Sequence, residues 1–146
     1  MLTKNLTLSF IFLMCLVIVS CKGKDESGQN PLDNRLLGKW NVISKTDTER
    51  IGDKEIEREQ ELYSKGEKTY EFTDNNKLII VYGHGKGQTT LPTWMTDGKL
   101  FIGQDHPYKE PYTVTFSGNR ATLFKVEEDR KDGQIVTETE EVILER

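Results

Sequence analysis

From residue 68 onward the chain alternates β-branched and aromatic residues with polar ones, and turn residues interrupt it about every ten positions. That rhythm commits the segment to strands, because neighbouring side chains on a strand point to opposite faces and helical spacing would scatter the same apolar residues. Segments 68–72 and 77–82 flank Thr73-Asp74-Asn75-Asn76, and the latter ends at Gly83-His84-Gly85. Segments 89–95 and 99–103 flank Thr96-Asp97-Gly98, where Asp-Gly supplies the positive φ angles that a two-residue hairpin turn demands. Segments 112–116 and 120–127 flank Ser117-Gly118-Asn119, and a polar loop at 129–133 leads to 134–144. With a first strand over 39–47, in which Trp40 and Val42 share a face, eight strands are expected.

Sequential antiparallel strands leave two open edges unless the sheet closes, and eight is a number at which a small barrel closes readily. The expected fold is therefore all-β, an eight-stranded antiparallel up-and-down barrel. Its interior would take Trp40, Val42, Tyr70, Phe72, Leu78, Ile80, Tyr82, Leu100, Ile102, Tyr112, Val114, Phe116 and Leu123. Ile79, Val81, Phe101 and Phe124 fall on the outer face and call for a cover, from a helix or from the amino-terminal turn.

Two readings of residues 48–65 stand open, and both place a short helix between the first two strands. In one, Asp53 caps a helix with Ile56, Glu59, Gln60 and Tyr63 on one face, and Gly66 stops it. In the other, Gly52-Asp53 is a tight hairpin between 48–51 and 54–57, with helix only near 59–65.

The amino terminus carries an address. Lys4 precedes an apolar stretch of about 14 residues, shorter than the roughly 20 needed for a permanent span, and the stretch ends at Ile18-Val19-Ser20-Cys21. Those four residues resemble the lipobox of bacterial lipoproteins, in which a small residue precedes a cysteine that is lipidated before cleavage on its amino side. The resemblance implies a signal peptide over 1–20 and a lipid attachment at Cys21. Several acyl chains on one cysteine anchor stably where a single chain anchors marginally. Residues 22–31 hold no apolar side chain, so 21–34 reads as a flexible tether and 35–146 as one barrel domain. Lys24-Asp25-Glu26 resembles a surface-export signal of some lipoproteins; the expected location is the bacterial outer membrane, periplasmic or surface-facing. The membrane is the first expected partner.

Loss of Lys4 with the leader takes the formal net charge from −4 to −5, which argues against nucleic acid as a partner. Cys15 would leave with the leader and Cys21 would be acylated, so the mature domain would fold without disulfides.

Residues 36–144 are similar to the lipocalin-like domains of bacterial lipoproteins. The likeness lies in Gly38-Lys39-Trp40 opening the first strand, in Tyr70-Glu71-Phe72 before an Asp/Asn turn, and in Trp94 ahead of Asp97-Gly98-Lys99-Leu100. It implies that Gly38 and Trp40 form a structural motif in which the tryptophan closes the barrel floor. Two departures accompany it: no Thr-Asp-Tyr motif occurs in the middle, and only Arg146 stands as a counterpart of the arginine that covers the tryptophan.

Chemistry-bearing residues are sparse. His84 lies among glycines and His106 before Pro107, so a metal reading would need both loops plus an acid such as Asp105; solvated loop histidines are the plainer account. The acids of residues 55–61 alternate with basic residues as on a wet face, Ser44, Ser64 and Ser117 have no histidine nearby in sequence, and residues 83–87 lack the features of a phosphate loop. No enzyme activity, metal or cofactor is expected. Tyr70, Tyr82, Trp94 and Tyr112 are the expected ligand-binding residues, lining a cup with apolar bodies and polar edges for a small apolar or amphipathic ligand. Core filling by the same side chains is the alternative, and it would make the domain a non-catalytic interaction or structural module with an envelope protein as partner, contacted through the loops at 83–87 and 103–111.

Overall fold

The computed structural model describes residues 31–83, 85–103 and 110–146. Cys21, the leader, most of the tether, His84, Asp105 and His106 lie outside the described residues. The strands are β1 (Gly38–Ile51), β2 (Lys54–Leu62), β3 (Lys68–Thr73), β4 (Lys77–Tyr82), β5 (Gly87–Thr96), β6 (Lys99–Ile102), β7 (Tyr112–Ser117), β8 (Arg120–Lys131) and β9 (Gln134–Glu145). Strands β3 to β9 pair antiparallel in chain order, and β1 pairs with both β3 and β9. This closes an eight-stranded barrel, with β2 as one extra strand.

The length of β1 explains the extra strand. Its first residues, Gly38 to Asn41, pair with β3, and the same side from Ser44 to Ile51 pairs with β2 through the turn at Gly52 and Asp53. The short helix expected between the first two strands is thus corrected to a strand over Lys54–Leu62, and no helix occurs among the described residues. A helix there would have left the backbone groups of residues 44–51 without partners on that side, whereas β2 satisfies them. Gly66 does not stop a helix; it sits at φ +80 in the turn between β2 and β3.

Register places every residue expected inward on the interior face. Trp40 opposes Tyr70, Tyr70 opposes Ile80, Leu100 opposes Tyr112, and Val114 opposes Leu123. Phe72, Leu78, Leu100 and Leu123 among them are fully buried, as is Leu144 of β9. At about 25 cal/mol per Å² of apolar surface, such burial is the main source of stability in a domain with no disulfide among its described residues.

One end of the barrel is closed. The turn at residues 34–36 folds beneath it, Leu32 and Leu36 join the core, and the Trp40 indole Nε1 donates to the Leu36 carbonyl at 2.7 Å. Leu32 is 5% exposed, so packed structure begins upstream of the boundary at residue 35 that composition suggested. Gly38 adopts φ +101, a conformation that favours glycine, as the chain swings from this turn into β1. The amino-terminal turn therefore plugs the floor and does not cover the outer face. There Phe101 stacks on Trp94, Ile79 and Val81 are half-buried, and Phe124 stays 40% exposed.

Candidate functional site at the open end

At the other end four strands run past the barrel. β8 pairs with β7 only as far as Phe124, yet continues to Lys131 against β9, while β1 and β2 extend alongside. The result is a wall in the order β2-β1-β9-β8 above one side of the mouth.

Strand alternation determines what this wall shows. On β9, Leu144 and Val142 face the barrel interior, so Glu140 and Glu138 continue that same face beyond the core. Cross-strand partners share a face, which adds Asp47 and Lys125 opposite Glu140, then Glu49 and Glu127 opposite Glu138. Glu61, Glu59 and Glu57 of β2 oppose Lys45, Asp47 and Glu49. The interior surface thus changes from apolar to charged at the level of Lys45 and Lys125, and acids predominate above it.

A polar network forms the base of this wall. The Tyr112 hydroxyl donates to Glu140 Oε1 at 2.9 Å. Lys125 Nζ lies 2.8 Å from Glu127, 3.6 Å from Glu140 and 5.4 Å from the Tyr112 ring centroid. Lys45 Nζ donates to Asp47 at 2.8 Å and lies 3.9 Å from Glu140. Across the mouth, Lys68 is 8% exposed, donates to the Tyr63 hydroxyl at 2.9 Å and lies over the Tyr63 and Tyr82 rings; Tyr63 in turn donates to Glu61.

Burial, reinforced by the negative charge of Glu140, pushes the Tyr70 and Tyr112 hydroxyls far above the ordinary phenol value of 10.0. For Lys45, burial opposes the charged form, but Asp47 and Glu140 outweigh it and hold the amine above its usual value. Both phenols therefore stay neutral donors and Lys45 stays charged at physiological pH.

A cleft of about 160 Å³ opens here, lined by Asp47, Glu49, Lys125, Glu127, Glu138 and Glu140 together with neighbouring threonines. It suits a small polar group better than the body of a large apolar molecule, since drug-sized sites run to roughly 300–1,000 Å³. Among the described residues no group of His, Cys, Asp and Glu is arranged to hold a metal ion.

Of the four expected ligand residues, the fold brings three together. Tyr70, Tyr82 and Tyr112 share the interior face, Tyr82 being 37% exposed at the rim. Trp94 does not join them: Thr93 opposes Ile102 inside, so Trp94 opposes Phe101 on the outer face, with ring centroids 5.2 Å apart and planes within 4° of parallel. The charged residues at the mouth were not foreseen. Their signal was the alternation Glu138, Glu140, Val142, Leu144, in which acids and core residues occupy one strand face.

No protein-family model matches the chain, and no curated protein is similar enough to count as a relative. What the geometry defines is a class: a closed antiparallel β-barrel with a plugged floor, a buried apolar interior and a charged, wall-backed mouth.

Proposed function

We propose that this protein is a lipid-anchored, lipocalin-like binding barrel of the bacterial outer membrane, non-enzymatic, that takes a small amphipathic ligand at its open end. The acyl chains on Cys21 would hold it to the membrane, and residues 22–31 would space the barrel from the surface. The observation that carries the reading is the mouth itself, where Tyr112 of the interior face donates to Glu140, one of the acids that line the cleft. The apolar part of a ligand would rest against the rings of Tyr82 and Tyr112. Its head would meet a wall on which Lys131 bridges Glu49 and Glu138, and Glu140 lies near Lys45 and Lys125. The remaining excess of acids selects a positive charge over the neutral apolar ligand that the aromatic residues alone suggest.

Titration of the mature domain with octyltrimethylammonium and with octyl sulfate, both below micelle-forming concentrations, tests this. The cationic probe should bind at least tenfold more tightly, and Glu138→Gln and Tyr112→Phe should each weaken it, while Trp94→Phe should leave it unchanged. Equal binding of the two probes, or a loss only with Trp94→Phe, would refute the mouth as the site. The anchor is tested separately, since Cys21→Ser should move the protein out of the membrane fraction.

The cluster of large apolar side chains buried in the interior favours a second reading, a non-catalytic interaction module. Its distinguishing outcome is a domain that binds neither amphiphile and captures an envelope protein instead.

A further inference from the structure

β2 is a strand without a second neighbour: among the described residues its only pairing is with β1, and all nine of its residues, Lys54 to Leu62, are exposed. Roughly half of its backbone N–H and C=O groups therefore point away from β1 and present an open hydrogen-bonding edge. Proteins usually keep such edges short or covered, yet this one is long and carries Ile56 and Leu62 at 46% and 72% exposure.

The charges along the edge decide what can pair with it. Glu57, Glu59 and Glu61 occupy successive positions on the mouth-facing side, and among the described residues Glu57 and Glu59 have no ion-pair partner. Arg58 lies on the opposite side with Thr48 as its cross-strand neighbour, and it is held near Glu55 at 3.9 Å. A second copy of the chain is a poor occupant. Two antiparallel β2 strands related by a two-fold axis must join like faces, so every register across these positions sets glutamate against glutamate, each such pair being unfavourable. A strand with lysine or arginine at alternate positions meets the same three glutamates as opposite-charge pairs.

We propose that the β2 edge is a strand-addition site for an extended basic segment of a partner protein, with basic side chains on the mouth-facing side and neutral or apolar ones on the other. Backbone hydrogen bonds to β2 supply sequence-independent affinity, and Glu57, Glu59 and Glu61 supply the selection. The edge lies beside the cleft, which residues of β1, β8 and β9 line, so variants on β9 and on β2 are what tell the two sites apart.

The experiment uses the intact mature protein and a nine-residue peptide alternating lysine with valine, followed by fluorescence anisotropy and by amide hydrogen exchange. The expected result is saturable binding that weakens with salt, slowed exchange confined to residues 54–62, and at least a tenfold loss in the Glu57→Lys, Glu59→Lys double variant. A peptide of identical charge with proline at its central valine should bind at least tenfold more weakly, because proline lacks the N–H that a ladder needs. Equal affinity for the proline peptide, unchanged exchange over 54–62, or association of the protein with itself through β2 would overturn the proposal. Glu138→Gln separates the two sites: it should leave the peptide affinity unaltered while weakening the cationic amphiphile.

Discussion

The Arg146 guanidinium lies 4.0 Å above the centroid of the Trp40 ring. Its Nη2 donates to the carbonyls of Arg35, at 3.1 Å, and Leu37. Arg146 thus seals the barrel floor, joining the end of β9 to the amino-terminal turn and to β1. The sequence offered only Arg146 as a residue to cover Trp40, and its place over the ring is a finding of the tertiary structure.

Removing that guanidinium should open the floor. Arg146→Ala is expected to lower stability by about 2 kcal/mol, combining a cation–π contact with charge-assisted hydrogen bonds. Arg146→Lys should recover only part, because an ammonium cannot both lie flat on the indole and reach two carbonyls. Urea denaturation gives the energies. A red shift of tryptophan emission in the alanine variant would report water at Trp40.

The buried phenols make the fold sensitive to alkali. Tyr70 and Tyr112 have folded pKa values raised above the unfolded value of 10.0, so keeping them neutral contributes stability that is complete below pH 10. That contribution is lost as pH climbs beyond 10, by about 1 kcal/mol per group at pH 11. The urea midpoint should therefore fall between pH 9 and 11, and Tyr112→Phe should remove its share of the slope. An identical slope in the variant would show that Tyr112 titrates like a free phenol.

Interior and wall should respond differently to truncation. Leu100 is fully buried at the centre of the barrel, and Leu100→Ala should cost about 2–5 kcal/mol through lost burial and a residual cavity. Leu62 is 72% exposed on β2, and Leu62→Ala should change stability by less than about 0.5 kcal/mol. Denaturation of the two variants in parallel checks the contrast.

Gly83 marks a close approach of two backbones at the mouth. Its amide donates to the Glu67 carbonyl at 2.7 Å, and a Cβ there would stand 2.8 Å from the Gly66 carbonyl oxygen. Neither backbone is free to yield as a flexible side chain would, so Gly83→Ala should destabilise by about 1–3 kcal/mol. Thermal unfolding would show this. Hydrogen exchange should quicken at Lys68, where β3 begins beside that contact.

Local rules explain how much of the fold was legible. Asp97 and Gly98 adopt φ 50 and 74, the mirror-image turn that Asp-Gly specifies, and alternation along each strand named the interior residues correctly. Residue type without alternation failed: Trp94 looked like a cup residue because it is aromatic, yet its neighbour Thr93 takes the inward position. The Gly52-Asp53 hairpin between 48–51 and 54–57, one of the two readings of that region, is present, whereas the helix expected beyond it is strand as far as Leu62. Charged, weakly apolar sequence has no strong preference of its own, and it forms a strand because β1 is long enough to offer an unpaired side.

By itself, then, the order of residues determined the strand count of the closed barrel, its turns and its apolar lining, because each depends on contacts between neighbours in sequence or on side-chain parity. Only the tertiary structure decided between the two readings of residues 48–65 and ran β2 on to Leu62 with a free edge, and only it decided that Arg146 meets Trp40 and that Tyr112, Lys45, Lys125 and Glu140 converge at one mouth. Those relations join residues far apart in the chain, and closure of the sheet is what sets the distances between them.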